Sequence, residues 1–333
     1  MSITQHMRRE DVRRARRFQR TFPFLMKILW SDKDLEFATK KISKPDTLSI
    51  PTRHGEIAAL VYSPTNEDLA AIAQQGRRPP IHLLVHGGAF IIRAPWQEGS
   101  TARFLASELG AVVVVPDYDT APDVSWPVAE EQNSDVYHWI LDNGDAYGWD
   151  LSRLTIGGAS AGSKFAMSVV ATAIDDGVPL PIAITSEFGC ADLSRSDESR
   201  TTAIKNPIVT PEMMGLARRT YFFGADPRNP AVSVALYPRL GEFPPTLIMT
   251  GEHDTLRHEM NAMAEDMASK GVQVTHRQFP GVDHGFTHNK PTAIAREAVF
   301  MIADHLRAAY ARVDAVRENG SNDGERTQQH AAR

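Results

Sequence analysis

The chain has 333 residues, 42% of them hydrophobic and 23% charged, which is ordinary for a soluble globular protein with a sizeable core. Its 36 Lys and Arg against 41 Asp and Glu give a net charge of -5, which argues against a global basic surface built for nucleic acid. The single cysteine, Cys190, excludes an intrachain disulfide framework and a cysteine-based zinc cluster, and reads as a small core residue.

Residues 1–45 are Arg-rich, with Phe18, Phe22, Leu25, Met26 and Leu29 at roughly helical spacing, which predicts a helix docked by one apolar stripe. Glu10 and Asp11 interrupt the basic start, and no apolar run with a small-residue cleavage site follows, so no secretory signal is read. No run approaches the roughly 18–20 apolar residues that span a bilayer. These features predict a cytoplasmic protein with no nucleic-acid partner and no stable membrane insertion; a homodimer stays open.

From about residue 56, short β-like runs alternate with helical stretches. Strands are predicted over 57–62, 81–85, 112–115, 154–156, 182–185, 246–249 and 272–277, several of them continuous apolar runs that suit parallel strands buried on both faces. Helices are predicted over 98–109, 128–143, 161–174, 256–270 and 292–311, with Pro127 at a helix start and Gly110 and Gly271 at helix ends. This alternation predicts an α/β fold with a mostly parallel, doubly wound sheet. Residues 193–240 break the rhythm and read as an insertion that leaves the sheet and returns near Pro244. The stretch 313–333 has few large apolar residues, which predicts a disordered tail.

Gly158-Ala159-Ser160-Ala161-Gly162 follows a predicted strand and opens an apolar helix. That is the context of a nucleophile elbow, in which glycines let strand and helix approach around a strained serine. Upstream, His86-Gly87-Gly88-Ala89 ends another strand and resembles the glycine-rich turn whose backbone N–H groups hold a developing oxyanion. A serine needs a base, and the base needs an orienting carboxylate. His284 lies in the turn after the last predicted strand, where an open α/β sheet places its site, whereas His276 sits within that strand and reads as structural. Asp254 follows the strand over 246–249 and is the candidate acid, with Asp283 and Glu252 as rivals.

These segments, with Asp117-Tyr118 and Ala121-Pro122, occur in the order and spacing of the hormone-sensitive-lipase-like family of α/β-hydrolase carboxylesterases, which the chain resembles over roughly residues 50–312. The resemblance implies an α/β-hydrolase core over 46–192 and 241–312, with a helical cap formed by residues 1–45 and the insertion 193–240. It implies a serine hydrolase of small carboxylic esters, with Ser160 as nucleophile, Asp254 as acid and His284 as base. Gly87, Gly88 and Ala161 would form the oxyanion hole. Met213, Met214, Phe222 and Phe223 are candidates for lining the acyl pocket. The chain departs from the family pattern at Ala159, Ala89 and Asp119-Thr120, positions that shape the pocket rather than supply catalytic groups.

No cofactor or metal is expected. His253, Asp254 and His258 lack the H-E-x-x-H arrangement, and no G-x-G-x-x-G follows a strand. An amide or thioester hydrolase of the same fold, or a non-catalytic ligand-binding member, are the alternatives. Length alone allows one domain or two; motifs running from His86 to His284 favour one.

Overall fold

The computed structural model describes residues 7–29 and 33–331. The strands β1 (Asp46–Thr52), β2 (Gly55–Tyr62), β3 (Pro80–Val85), β4 (Val112–Pro116), β5 (Asp150–Ala159), β6 (Ile184–Glu187), β7 (Thr246–Gly251) and β8 (Val274–Phe279) form one sheet in the order β1-β2-β4-β3-β5-β6-β7-β8. β1 and β2 are antiparallel to each other, and β2 is antiparallel to β4. Every later pairing is parallel.

The period of two along the central strands assigns each side chain to a layer. Ile81, Leu83 and Val85 of β3 and Val112 and Val114 of β4 pack into one cluster, with α4 (Val128–Asn143), α5 (Ala161–Asp176) and α7 (Arg257–Ser269). Leu84, Val113 and Val115 point the other way, toward α3 (Gly99–Leu109) and α8 (Thr292–Ala331). The continuous apolar runs are therefore buried on both faces, and the parallel strands all deliver their carboxyl ends to one edge of the sheet.

Two elements escape the hydropathy pattern. β1 is polar and sits at the sheet edge, where Pro51 is tolerated. α2 (Asn66–Gln74) has no buried residue and is started instead by Thr65, whose hydroxyl accepts from the Asp68 N–H. In the insertion, α6 (Pro211–Arg219) begins with the same device at Thr210. At the other end, α8 continues to Ala331 through the stretch whose composition predicts disorder. It is anchored at Arg317, which pairs with Asp150 at 2.9 Å, and beyond that pair it runs through Asn319-Gly320-Ser321-Asn322-Asp323-Gly324 against their low helix propensity.

The predicted N-terminal helix is α1 (Arg9–Leu29). The side chains of Leu25, Met26 and Leu29 lie outside the described residues. Arg219 on α6 pairs with Asp11 at 3.0 Å, and Arg16 with Asp123 at 2.9 Å, so α1 is fixed to both the insertion and the core. Among the described residues no helix is long and apolar enough to cross a membrane.

Asp150 opens β5 and binds Arg153 at 2.7 Å as well as Arg317. Burial works against its charge, but hydrogen bonds from Arg317, Ser152 and Arg153 outweigh it and hold its carboxyl well below the usual range. A depressed folded-state pKa stabilises the fold above the unfolded value, near 3.9 for Asp, and the effect fades as pH falls through the folded value. Asp150→Asn should therefore lower the melting temperature at neutral pH, and thermal scans from neutral to acid should show the gap to the native protein closing.

Candidate active site

Ser160 stands between β5 and α5, with φ 55° and ψ -121°. Positive φ is uncommon for a residue with a side chain and persists only where the surroundings enforce it. Here the enforcement is visible. The Ser160 N–H donates to Glu187 O at 2.9 Å. A Cβ on Gly158 would fall 2.4 Å from the Gly162 carbonyl carbon, and one on Gly162 would fall 2.0 Å from Val85 O. Only glycine lets α5 pack this closely on β3 while the turn lifts Ser160 above the sheet edge.

His284 Nε2 is 2.8 Å from Ser160 Oγ, and His284 Nδ1 is 2.9 Å from Asp254 Oδ2. Asp254 is 1% exposed, and its other oxygen accepts the Leu256 N–H at 2.9 Å. Phe188 meets the His284 ring edge-on at 4.9 Å, closing one side of the imidazole. The rivals point elsewhere. Asp283 accepts the Ile208 N–H at 2.6 Å, and Glu252 accepts the Gly281 N–H at 2.7 Å. His276 is exposed on β8, 3.3 Å from the Thr250 hydroxyl. Among the described residues no group of three His, Cys, Asp or Glu could hold a metal ion.

The turn after β3 is braced from both sides. His86 stacks on Tyr118 at 4.1 Å, and the Tyr118 hydroxyl donates to His86 O at 2.6 Å. Gly88 has φ 142°, and a Cβ there would lie 2.3 Å from Ile92 O. The amide of Gly87, expected to face an oxyanion, instead donates to Glu98 Oε1 at 3.3 Å. Among the described residues the N–H groups of Gly88 and Ala89 donate to no protein acceptor, and that of Ala161, the first residue of α5, has no acceptor within its helix. These amides and the positive end of α5 supply positive potential beside Ser160.

Beneath the turn lies a buried ionic cluster. Glu98 is 0% exposed and pairs with His288 at 3.3 Å. Burial works against the Glu98 charge, but His288, His86 and the Gly87 N–H hold its pKa below the ordinary value. His288 likewise resists burial, and Glu98 and then Glu187 raise its pKa. Burial, then the nearby Glu98, push Glu187 up to about 7.

A cavity of about 690 Å³, its mouth included, opens over Ser160 and His284. Phe18 and Phe22 of α1, Ile208 and Val209 of the insertion, and Met213 and Met214 of α6 line it. Two expected lining residues are absent. Phe222 packs edge-on against Phe90 at 4.8 Å within the core, and Phe223 turns outward, 40% exposed. The turn after α6 sends neighbouring side chains in opposite directions, which composition does not reveal. Cys190 does lie in the core, and it also forms part of the cavity wall, where burial pushes its thiol up.

The sequence pattern of the alpha/beta hydrolase fold matches residues 82–288. An acetyl-hydrolase from Streptomyces hygroscopicus is 30% identical over 230 residues, covering 68% of this chain and 75% of that protein. The chain belongs to the hormone-sensitive-lipase-like α/β-hydrolases. The carboxylesterase NlhH of Mycobacterium tuberculosis is 27% identical over 63% of this hydrolase and 67% of its own length. A hyperthermophilic esterase from the archaeon Pyrobaculum calidifontis superposes on the hydrolase with a TM-score of 0.78 at 29% identity, over 88% of this chain and 93% of that one.

Glu98, Glu187 and His288 had no sequence signal of their own, because burial brings together residues nearly 200 positions apart. The two phenylalanines after α6 separate packing from exposure. Phe222→Ala should cost about 3–5 kcal/mol of stability in chemical denaturation, and Phe223→Ala should stay within about 0.5 kcal/mol of the native hydrolase.

Proposed function

We propose that this esterase cleaves small, short-chain carboxylic esters through an acyl-enzyme on Ser160. The observation that carries the reading is the unbroken chain from Ser160 Oγ to His284 Nε2 at 2.8 Å and from His284 Nδ1 to Asp254 at 2.9 Å. Ser160 attacks the ester carbonyl while His284 takes its proton, and Asp254 fixes the tautomer and stabilises the imidazolium. The oxyanion is received by the amides of Gly88, Ala89 and Ala161. His284 then returns the proton to the leaving alcohol, and a water activated by the same imidazole releases the acid.

Two features support a small substrate. Aromatic and methionine side chains crowd the cavity over Ser160, and a relative is named as an acetyl-hydrolase. In this reading α1 and the insertion act as a cap whose inner face, through Phe18, Phe22, Met213 and Met214, limits acyl length. Apolar lining of this kind, with few polar groups at the reacting centre, suits a small apolar acyl group.

Hydrolysis of p-nitrophenyl acetate, butyrate, octanoate and decanoate tests the reading. The rate should peak at the short esters, and Ser160→Ala should lose about 10⁴-fold or more in kcat while melting normally. Asp254→Asn should lose about 10⁴-fold. Phe18→Ala and Met213→Ala should move the optimum toward longer acyl chains. A flat chain-length profile in those two variants would remove the cap from the account of specificity.

A further inference from the structure

The Glu98 carboxylate creates a problem for the proposed chemistry. A Cβ on Gly87 would lie 3.2 Å from Ser160 Cβ, so the amide that Glu98 binds is next door to the nucleophile. A bare anion buried there would oppose the negative charge that forms on the substrate oxygen, and low-dielectric surroundings would strengthen that opposition. The same carboxylate also does something useful. By taking the Gly87 N–H it fixes the turn from which the Gly88 and Ala89 amides emerge without protein acceptors. The structure supplies the missing compensation in His288, which is four residues beyond His284 and reaches back to Glu98 Oε2.

We propose that Glu98 is a positioning residue for the oxyanion turn, and that His288 is the counter-cation that makes a buried carboxylate tolerable there. The inference rests on the esterase reading of Ser160. Glu98 sets the turn and His288 cancels its field; neither touches the reacting atoms. Glu98, Glu187 and the Gln97 backbone face His288; His288, His86, Tyr118 and Tyr62 face Glu98; and Glu98, His288 and the Thr287 hydroxyl face Glu187, with Asp117 and Arg93 beyond His86.

Compensation and simple packing predict different outcomes. With His288→Gln, Glu98 loses the cation that holds its pKa down. An uncompensated carboxylate then stands behind the turn. At neutral pH His288→Gln should lose about ten- to a hundredfold in kcat with KM within about threefold. Glu98→Gln in the same chain keeps an acceptor for the Gly87 N–H and removes the charge. The double variant Glu98→Gln/His288→Gln should therefore recover most of the lost kcat.

A double variant as slow as or slower than His288→Gln, or an unchanged kcat in His288→Gln, would overturn the inference. If His288→Gln does not fold, Glu98→Gln decides against Glu98→Ala: retention of kcat in the first and loss in the second supports positioning, and equal loss overturns it. Ser160→Ala assayed alongside separates the two levels. Activity surviving in it defeats the nucleophile reading and this inference together, whereas its loss with an unchanged kcat in His288→Gln defeats this inference alone.

Discussion

The site depends on one backbone conformation, that of Ser160 at φ 55°. A residue with a side chain adopts it only under compulsion, and the compulsion comes from the close packing of α5 on β3, which Gly158 and Gly162 alone permit. Three consequences follow from that turn. It lifts the hydroxyl above the sheet edge, into reach of His284. It leaves the Ala161 amide at the head of a 16-residue helix without an intrahelical acceptor. It also brings Ser160 against the turn after β3, so amides from two separate elements surround one point. The parallel sheet makes this economical, since the strands that carry Ser160, Asp254 and His284 end on the same edge.

Charge around that point is arranged in two layers. Nearest Ser160 are neutral backbone dipoles, which need no counter-ion. Behind them sit titratable side chains, the pair of Glu98 with His288 and the carboxyl of Glu187, which burial and Glu98 push up to about 7. A buried ion pair seldom adds stability over an apolar replacement, so its presence beside the turn after β3 calls for a reason other than stability. Fixing the Gly87 amide supplies one. The outer wall is different in kind. It consists of α1 and α6, tied together by Arg219 and Asp11, and its inner face is nearly all apolar.

The legibility of these layers in the sequence follows from how local their determinants are. The strand–turn–helix around Ser160 is local, and the helix over 128–143 is legible because Pro127 stands immediately before it. Asp254 and His284 could be placed because loops after parallel strands converge on one edge. The tertiary features were not legible. Whether Phe222 or Phe18 faces the cavity depends on how the insertion and α1 dock, and Phe18 and Phe22 of the α1 stripe form cavity wall as well as docking surface. The motif analogy points to the Gly87 amide, and only the burial of Glu98 eleven residues later redirects it. α2 escapes the hydropathy pattern because its cap defines it; Thr65 with Asp68 three residues on is the signal in the sequence.

Covalent labelling with a serine-directed fluorophosphonate, read by intact mass and peptide mapping, asks whether Ser160 is the nucleophile. One adduct per chain is expected, on the peptide bearing Ser160, and none on Ser160→Ala. An adduct of equal stoichiometry on Ser160→Ala, or one mapped to another side chain of the native enzyme, would contradict that role.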